Sequence, residues 1–246
     1  MSRLALAIAA VPDVEAGRAI YNLGDLAANG VYKAMAHLHN QQRGTERLPL
    51  YQYRIVSASA VVESESGEVS LVSLSDVSEP ELLKSLAELI DSASELVSWG
   101  GDDFDRPVLA YRYLKHGITC PAIFDQFSID SIVHTTLSVE LSGFHEARRL
   151  PLSELASVLG LPSEKGLEKI NILECYQHGE LTELSQACDA DALNSFLISK
   201  RLELTKGELN NSEYQEDCDT LHTYLSESKQ AHLSQFAKAW LPNNNK

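Results

Sequence analysis

The chain has 246 residues, 44% of them hydrophobic, and a formal net charge of −15 at pH 7. A chain of this size can bury a substantial core, so we expect one large domain or a domain with an extension. The acidic excess argues against capture of nucleic acid over a broad basic surface, because that affinity comes mainly from Lys and Arg. A local basic groove stays open in the second half, which contains Arg148, Arg149, Lys200, Arg201 and Lys206.

The opening stretch MSRLALAIAAVPD resembles a signal peptide, but its apolar part covers only residues 4–11 and no clean cleavage site follows. We predict a buried first strand there instead. No apolar run approaches the roughly 20 residues that a membrane span needs. The four cysteines lack CxxC spacing and are predicted to be reduced thiols. Together these features predict a cytoplasmic protein without a membrane partner.

Hydrophobic periodicity predicts an α/β protein with a mixed sheet. Residues 3–11 read as the first strand, and residues 51–76 as two β-rich runs that form a hairpin around ESESGE. Next come a helix, a short buried strand and four more helices, at residues 79–93, 95–101, 104–117, 150–160, 181–209 and 212–240.

Three carboxylates, Asp102, Asp103 and Asp105, lie within four positions between the short strand and the following helix. Such a group either caps the helix or holds a cation. For Asp102 and Asp103 we favour capping, because carboxylates at a helix N-terminus satisfy free N–H groups and complement the helix dipole. Asp105 stays a candidate for either role.

Several segments in fixed order resemble a single family. They are AIAAVPD, YRIVSASAVV, LVSWGGDDFDRPVLAYRYLKHGI, LPLSELASVLGLP, CDADALNSFLISKRLELTKGEL and HLSQFAKAW. This order resembles the bacterial predicted 3′–5′ exonucleases related to the proofreading domain of family B DNA polymerases, within the DEDD superfamily. The resemblance implies an α/β, ribonuclease H-like mixed sheet flanked by helices over residues 1–209. Residues 210–246 would be a C-terminal helical extension packed on that domain.

The resemblance also implies a catalytic centre of four carboxylates that hold two Mg²⁺ or Mn²⁺ ions, with a Tyr or His to orient the attacking water. Most of these positions are altered in this chain. The first motif's Asp and Glu fall on Ala7 and Ala9, and the second motif's Asn falls on Gly100. The Tyr position is Ala187, and the alternative His position is Gln186, which cannot serve as a base.

Two carboxylates of the family pattern are retained, Asp105 and Asp191. The resemblance therefore predicts no catalytic residue, and it leaves these two as candidate ligands of a weakly bound Mg²⁺ or Mn²⁺ ion. Three explanations are open for the missing groups: alanines introduced by engineering, natural loss of the site, and a rewired site in which Asp102, Asp103 or Asp189 supplies new ligands. We favour natural loss, because it accounts for all four changes together.

The resulting hypothesis is a 3′–5′ exonuclease-family protein that acts on or binds single-stranded DNA or RNA, with weak or no hydrolysis. One alternative is a pseudoenzyme that serves as an interaction module for a protein partner and does not bind nucleic acid. The other is a rewired metal-dependent nuclease. Neither the type of nucleic acid nor the oligomeric state follows from the sequence.

Overall fold

The computed structural model describes residues 2–124 and 132–240. Its strands are β1 (Arg3–Pro12), β2 (Tyr53–Glu63), β3 (Val69–Leu74), β4 (Glu95–Ser98) and β5 (Val133–Thr136). They form one sheet in the order β3-β2-β1-β4-β5. The pairs β3–β2 and β2–β1 are antiparallel, whereas β1–β4 and β4–β5 are parallel. This mixed sheet confirms the predicted α/β, ribonuclease H-like fold.

Helices cover both faces of the sheet. Their bounds are α1 (Val14–Tyr21), α2 (Ala28–Arg43), α3 (Glu79–Ser92), α4 (Asp105–His116), α5 (Pro121–Phe124), α6 (Leu137–Leu141), α7 (Leu152–Val158), α8 (Ile172–His178), α9 (Leu181–Lys206), α10 (Asn211–Glu227) and α11 (Ala231–Ala239). The start of α3 follows its sequence signal, since Ser78 and Glu81 form a capping box.

The central strand β1 is buried on both faces, and its side chains alternate between two cores. Leu4, Leu6, Ile8 and Ala10 pack in a core with residues of α3 and α4. The opposite face consists of Ala5, Ala7, Ala9 and Val11, which pack with residues of α9 and of the helices beside it. The two family positions on β1 therefore face the helix that carries Asp191.

A buried ion-pair network joins the end of β1 to α4. The Arg112 guanidinium donates to Asp13 Oδ2 at 2.6 Å and to Glu79 Oε1 at 2.8 Å. Lys115 Nζ donates to the same Asp13 oxygen at 2.7 Å. Burial alone would raise the pKa of Asp13, but these hydrogen bonds outweigh it and lower the pKa to about 2. The network thus fixes the position of α4, whose first residue is Asp105.

The prediction of a single helix over residues 212–240 is wrong. The chain leaves helical geometry at Ser228, which has φ −63° and ψ 137°, and α11 begins at Ala231. The turn brings α11 back against α10, where the His222 ring lies 3.2 Å from the Ala237 carbonyl oxygen and stacks edge-on with Trp240. Apolar residues keep their helical spacing across this turn, so hydrophobic periodicity alone does not reveal the break between the two helices.

Both C-terminal helices contribute to the core around α9, with buried Leu221, Leu225, Leu233 and Phe236. The division into residues 1–209 and 210–246 stays a prediction, and residues 1, 125–131 and 241–246 of those ranges lie outside the described part of the chain. All four cysteines are buried free thiols, as predicted. Within the described residues, no helix is both long enough and apolar enough to cross a membrane.

Candidate functional site

Asp105 lies where the chain leaves β4 and enters α4. A short 3-10 turn over Gly101–Asp103 comes first, and it needs glycine at its start because a Cβ on Gly101 would lie 2.2 Å from Thr136 Oγ1. Asp105 is only 8% exposed. Its side chain points back to Gly100, where an added Cβ would be 3.4 Å from Asp105 Oδ2. The carboxylate therefore faces the end of the sheet.

Burial raises the pKa of Asp105 to about 7, because a charged carboxylate loses its hydration there. Hydrogen bonds from the Ser98 side chain and the Gly100 backbone favour the charged form and offset part of this effect. Ser98 ends β4, and no sequence pattern predicts its contact with Asp105. These two groups hold the carboxylate without neutralising it.

Asp191 lies in the middle of α9 and is enclosed by the loop before α8. Its Oδ2 accepts a hydrogen bond from the Leu167 N–H at 3.1 Å. A Cβ on Gly166 would lie 2.2 Å from Asp191 Oδ1, so glycine is what allows the loop backbone to approach so closely. Burial raises the pKa of Asp191 to about 7, and the negative charges of Glu168 and Asp105 add to that effect.

The charge of Asp105 acts on Asp191, so α4 and α9 bring the two retained family carboxylates into one electrostatic environment. Within residues 2–124 and 132–240, neither carboxylate has a Lys, Arg or His partner within 4.0 Å. Glu168 is a third nearby acid, but its oxygens accept the Leu152 and Ser153 N–H groups at the start of α7. Because Glu168 caps a helix that precedes it in the chain, no local sequence signal identifies it.

The alanines at family positions lie in the same region and offer no ligand. Ala7 and Ala187 are buried, and Ala9 has no exposed surface at all. Ala9 packs in an apolar cluster with Val56, Cys175, Leu184 and Cys188. A carboxylate at position 9 would thus have to displace apolar side chains.

A family model described as a predicted 3′–5′ exonuclease related to the exonuclease domain of PolB matches residues 45–240. The chain belongs to this family. A comparison with curated proteins gives no match. The family match includes Asp105, Ala187 and Asp191 but begins after β1, so the assignments at Ala7 and Ala9 depend on sequence resemblance and on their place in the fold.

Two of the exonuclease-family positions in this chain carry groups of the type that coordinates a hard divalent cation. Asp105 and Asp191 supply the carboxylate oxygens that Mg²⁺ and Mn²⁺ prefer. The other family positions carry hydrogen or methyl groups, which cannot coordinate a metal. Across the described part of the chain, three ligand-type side chains come within 4.8 Å of one another only at Cys175, Glu180 and Glu183. Both glutamates of that group are exposed, and it includes neither retained carboxylate.

Asp102 and Asp103 do not cap α4, contrary to prediction. The residue before the helix is Phe104, and no side-chain capping bond is present there. Asp102 Oδ1 accepts a hydrogen bond from Arg106 at 3.3 Å, and Asp103 forms an ion pair with Arg149. The 3-10 turn carries both side chains past the free N–H groups of the helix, so they bind neighbouring cations instead.

Asp189 is buried away from the retained pair and is held by three donors. Ser59 Oγ and Ser73 Oγ each donate to Oδ1 at 2.6 Å, and the His232 ring lies 2.8 Å from Oδ2. These contacts join α9 to β2, β3 and α11. With both oxygens used in this way, Asp189 has a structural role, and the rewired site has no support from Asp189 in this arrangement.

The apolar cluster around Ala9 leads to a direct prediction. An Ala9→Glu variant should lose about 3 kcal/mol or more of unfolding free energy in urea titrations, because the larger side chain overpacks the cluster and buries a carboxylate. Ala9→Gln is the matched control that separates size from charge, and its loss should be smaller. An Ala9→Glu variant as stable as the parent protein would mean that the cluster has room for this ligand.

Proposed function

We propose that this protein binds the 3′-terminal part of a single-stranded nucleic acid through one divalent cation at Asp105 and Asp191. We further propose that it hydrolyses the strand weakly or not at all. The observation that supports this is the pair of retained carboxylates, of which Asp105 is buried and Asp191 half-buried, with no basic partner among the described residues. Burying like charges together destabilises a folded protein, and such pairs occur mainly at functional sites. A bound cation would remove that destabilisation.

The surrounding residues suit this role. The Ser98 hydroxyl and the Gly100 N–H orient one carboxylate, and the Leu167 N–H orients the other. When bound, the cation would supply positive charge for a phosphate oxygen. Gly100 leaves no side chain over Asp105, so a phosphate could approach that carboxylate closely.

The expected loss of hydrolysis follows from the groups that are missing. Two-metal hydrolysis needs enough ligands for both ions and a residue that orients water. Ala7 and Ala9 cannot ligate, and Ala187 cannot orient water. Gln186, beside Ala187, can hydrogen-bond water but cannot take its proton. These replacements support a protein that holds a strand more readily than it cuts it.

The binding test uses fluorescence anisotropy with short labelled strands of DNA and of RNA, at low salt, in Mn²⁺ and in EDTA. The parent protein should bind in Mn²⁺ and release the strand in EDTA. Asp191→Asn should weaken the Mn²⁺-dependent binding by about tenfold, the scale seen when metal sites lose supporting groups. Asp25→Asn, which changes an exposed carboxylate in the loop after α1, should bind like the parent.

The cleavage test uses the same strands labelled at the 3′ end, with Mg²⁺ and with Mn²⁺. The parent protein should leave them intact over a time in which an active exonuclease degrades them. Efficient cutting that Asp105→Asn abolishes would contradict the proposal and point to a rewired nuclease. Absence of binding at low salt would also contradict it and favour the protein-interaction alternative.

A further inference from the structure

One aromatic residue, in the loop that ends at α7, is exposed in an unusual backbone conformation. Phe144 lies in the loop over residues 142–150, which joins α6 to α7, and is 78% exposed. Its φ is +65°, a value that is rare for a bulky side chain. Phe144 N–H donates to the Val139 carbonyl at 3.0 Å, so the strained conformation is fixed by a backbone hydrogen bond. The loop thus presents an aromatic ring to solvent at an energetic cost to the backbone.

This loop and the chain around the start of α6 are both attached to the segment just before Asp105. Upstream, Thr136 Oγ1 accepts the Asp102 N–H at 3.1 Å, and Ser138 N–H donates to the Trp99 carbonyl at 3.4 Å. Downstream, Arg149 forms an ion pair with Asp103. Phe144 and Arg149 are five positions apart, so their Cα atoms lie within about 18 Å of each other. A few nucleotides can span this distance.

The loop is also more basic than the protein as a whole. Arg148 and His145 are exposed and Arg149 is partly exposed, with Glu146 as the one acid of this loop. The whole chain, in contrast, has 35 acidic and 20 basic residues. An exposed aromatic ring flanked by Arg is the combination that binds unpaired bases, through stacking and phosphate attraction. A duplex keeps its base faces stacked internally, so only an unpaired strand offers this contact.

We infer that Phe144 is a stacking residue for a base of the single strand whose 3′ end is held at Asp105 and Asp191, with Arg148 beside its phosphate. This inference rests on the proposed function and names the feature of the ligand that the loop recognises. The contact depends on the base and not on its identity, since every base has a π face.

The test compares strand binding by Phe144 variants, again by anisotropy at low salt with Mn²⁺. Phe144→Ala should weaken binding by about tenfold, and Phe144→Trp should restore it. Val158→Ala is the control, because Val158 is 81% exposed on the neighbouring α7 but has no aromatic ring. Phe144→Gly should bind as weakly as Phe144→Ala and yet unfold at a higher temperature than the parent, because glycine relieves the positive φ. A residue with a merely structural role would not combine those two changes.

Strands with a single abasic position give a second readout. For the parent protein, one abasic position near the 3′ end should weaken binding more than the others, and Phe144→Ala should abolish that difference. If the parent binds the strand and Phe144→Ala binds equally well, the inference is wrong while the proposed function stands. If the parent binds no strand at low salt, both the inference and the proposed function are wrong.

Discussion

At pH 8, an Asp105→Asn variant is expected to unfold about 5 °C above the parent protein. The buried carboxylate has its pKa raised from 3.8 to about 7, so at pH 8 the folded protein holds a charge without hydration. At roughly 1.36 kcal/mol per pKa unit, the upper limit of the gain is about 4 kcal/mol. We expect about 2 kcal/mol, because the amide must also fit among the donors that now serve the carboxylate.

The gain should depend on pH with a defined sign. The folded protein keeps the Asp105 proton up to about pH 7, whereas the unfolded chain releases it near the ordinary pKa of 3.8. Stability from this group is therefore complete below about pH 4 and is lost as the pH rises to about 7. The amide does not titrate, so the advantage of Asn should grow over that interval and then stay constant. Thermal unfolding measured between pH 4 and pH 8 gives the profile.

The exposed Asp25→Asn variant serves as the control, and its unfolding temperature should follow that of the parent across the whole pH range. An Asp105→Asn advantage of equal size at pH 5 and pH 8 would show that the gain comes from packing and not from the lost charge. The electrostatic argument for a cation at Asp105 and Asp191 would then lose its support.

Arg112→Met should destabilise the protein by about 3–5 kcal/mol at pH 7, the usual result of removing one partner from a buried ion pair. Arg112 is 2% exposed and is the cation shared by Asp13 and Glu79. Without Arg112, Glu79 would still accept a hydrogen bond from the Ile55 N–H at 2.7 Å and contact the His116 ring at 3.1 Å, but it would have no arginine partner. Urea unfolding monitored by tryptophan fluorescence measures the loss.

A double variant separates the lost pair from lost packing. Arg112→Met combined with Glu79→Met should be more stable than the sum of the two single losses implies, because no unpaired Glu79 charge is left. Arg43→Met, at the exposed end of α2, should change the unfolding free energy by no more than about 0.5 kcal/mol. Additive losses in the double variant would mean that the guanidinium acts mainly through its packing.

The fold was accessible from the sequence wherever its signals are local. Hydrophobic periodicity predicted the strands and α3, and the order of the motifs assigned Asp105 and Asp191 to the motifs of one family. Contacts made across long stretches of chain left no such signal. The structural role of Asp189 depends on Ser59, which lies 130 positions away in the sequence. In the same way, the sequence predicts that Asp103 caps a helix, whereas in the fold it forms an ion pair with Arg149.

Asp189 and Asp191 lie two positions apart on α9 and have different roles. The first is committed to hydrogen bonds with Ser59, Ser73 and His232, whereas the second faces Asp105 and the loop at Gly166. The scaffold and the site thus share a helix but share no carboxylate. A lineage with this layout can lose or regain ligands in the site without disturbing the hydrogen bonds that keep the helix in place.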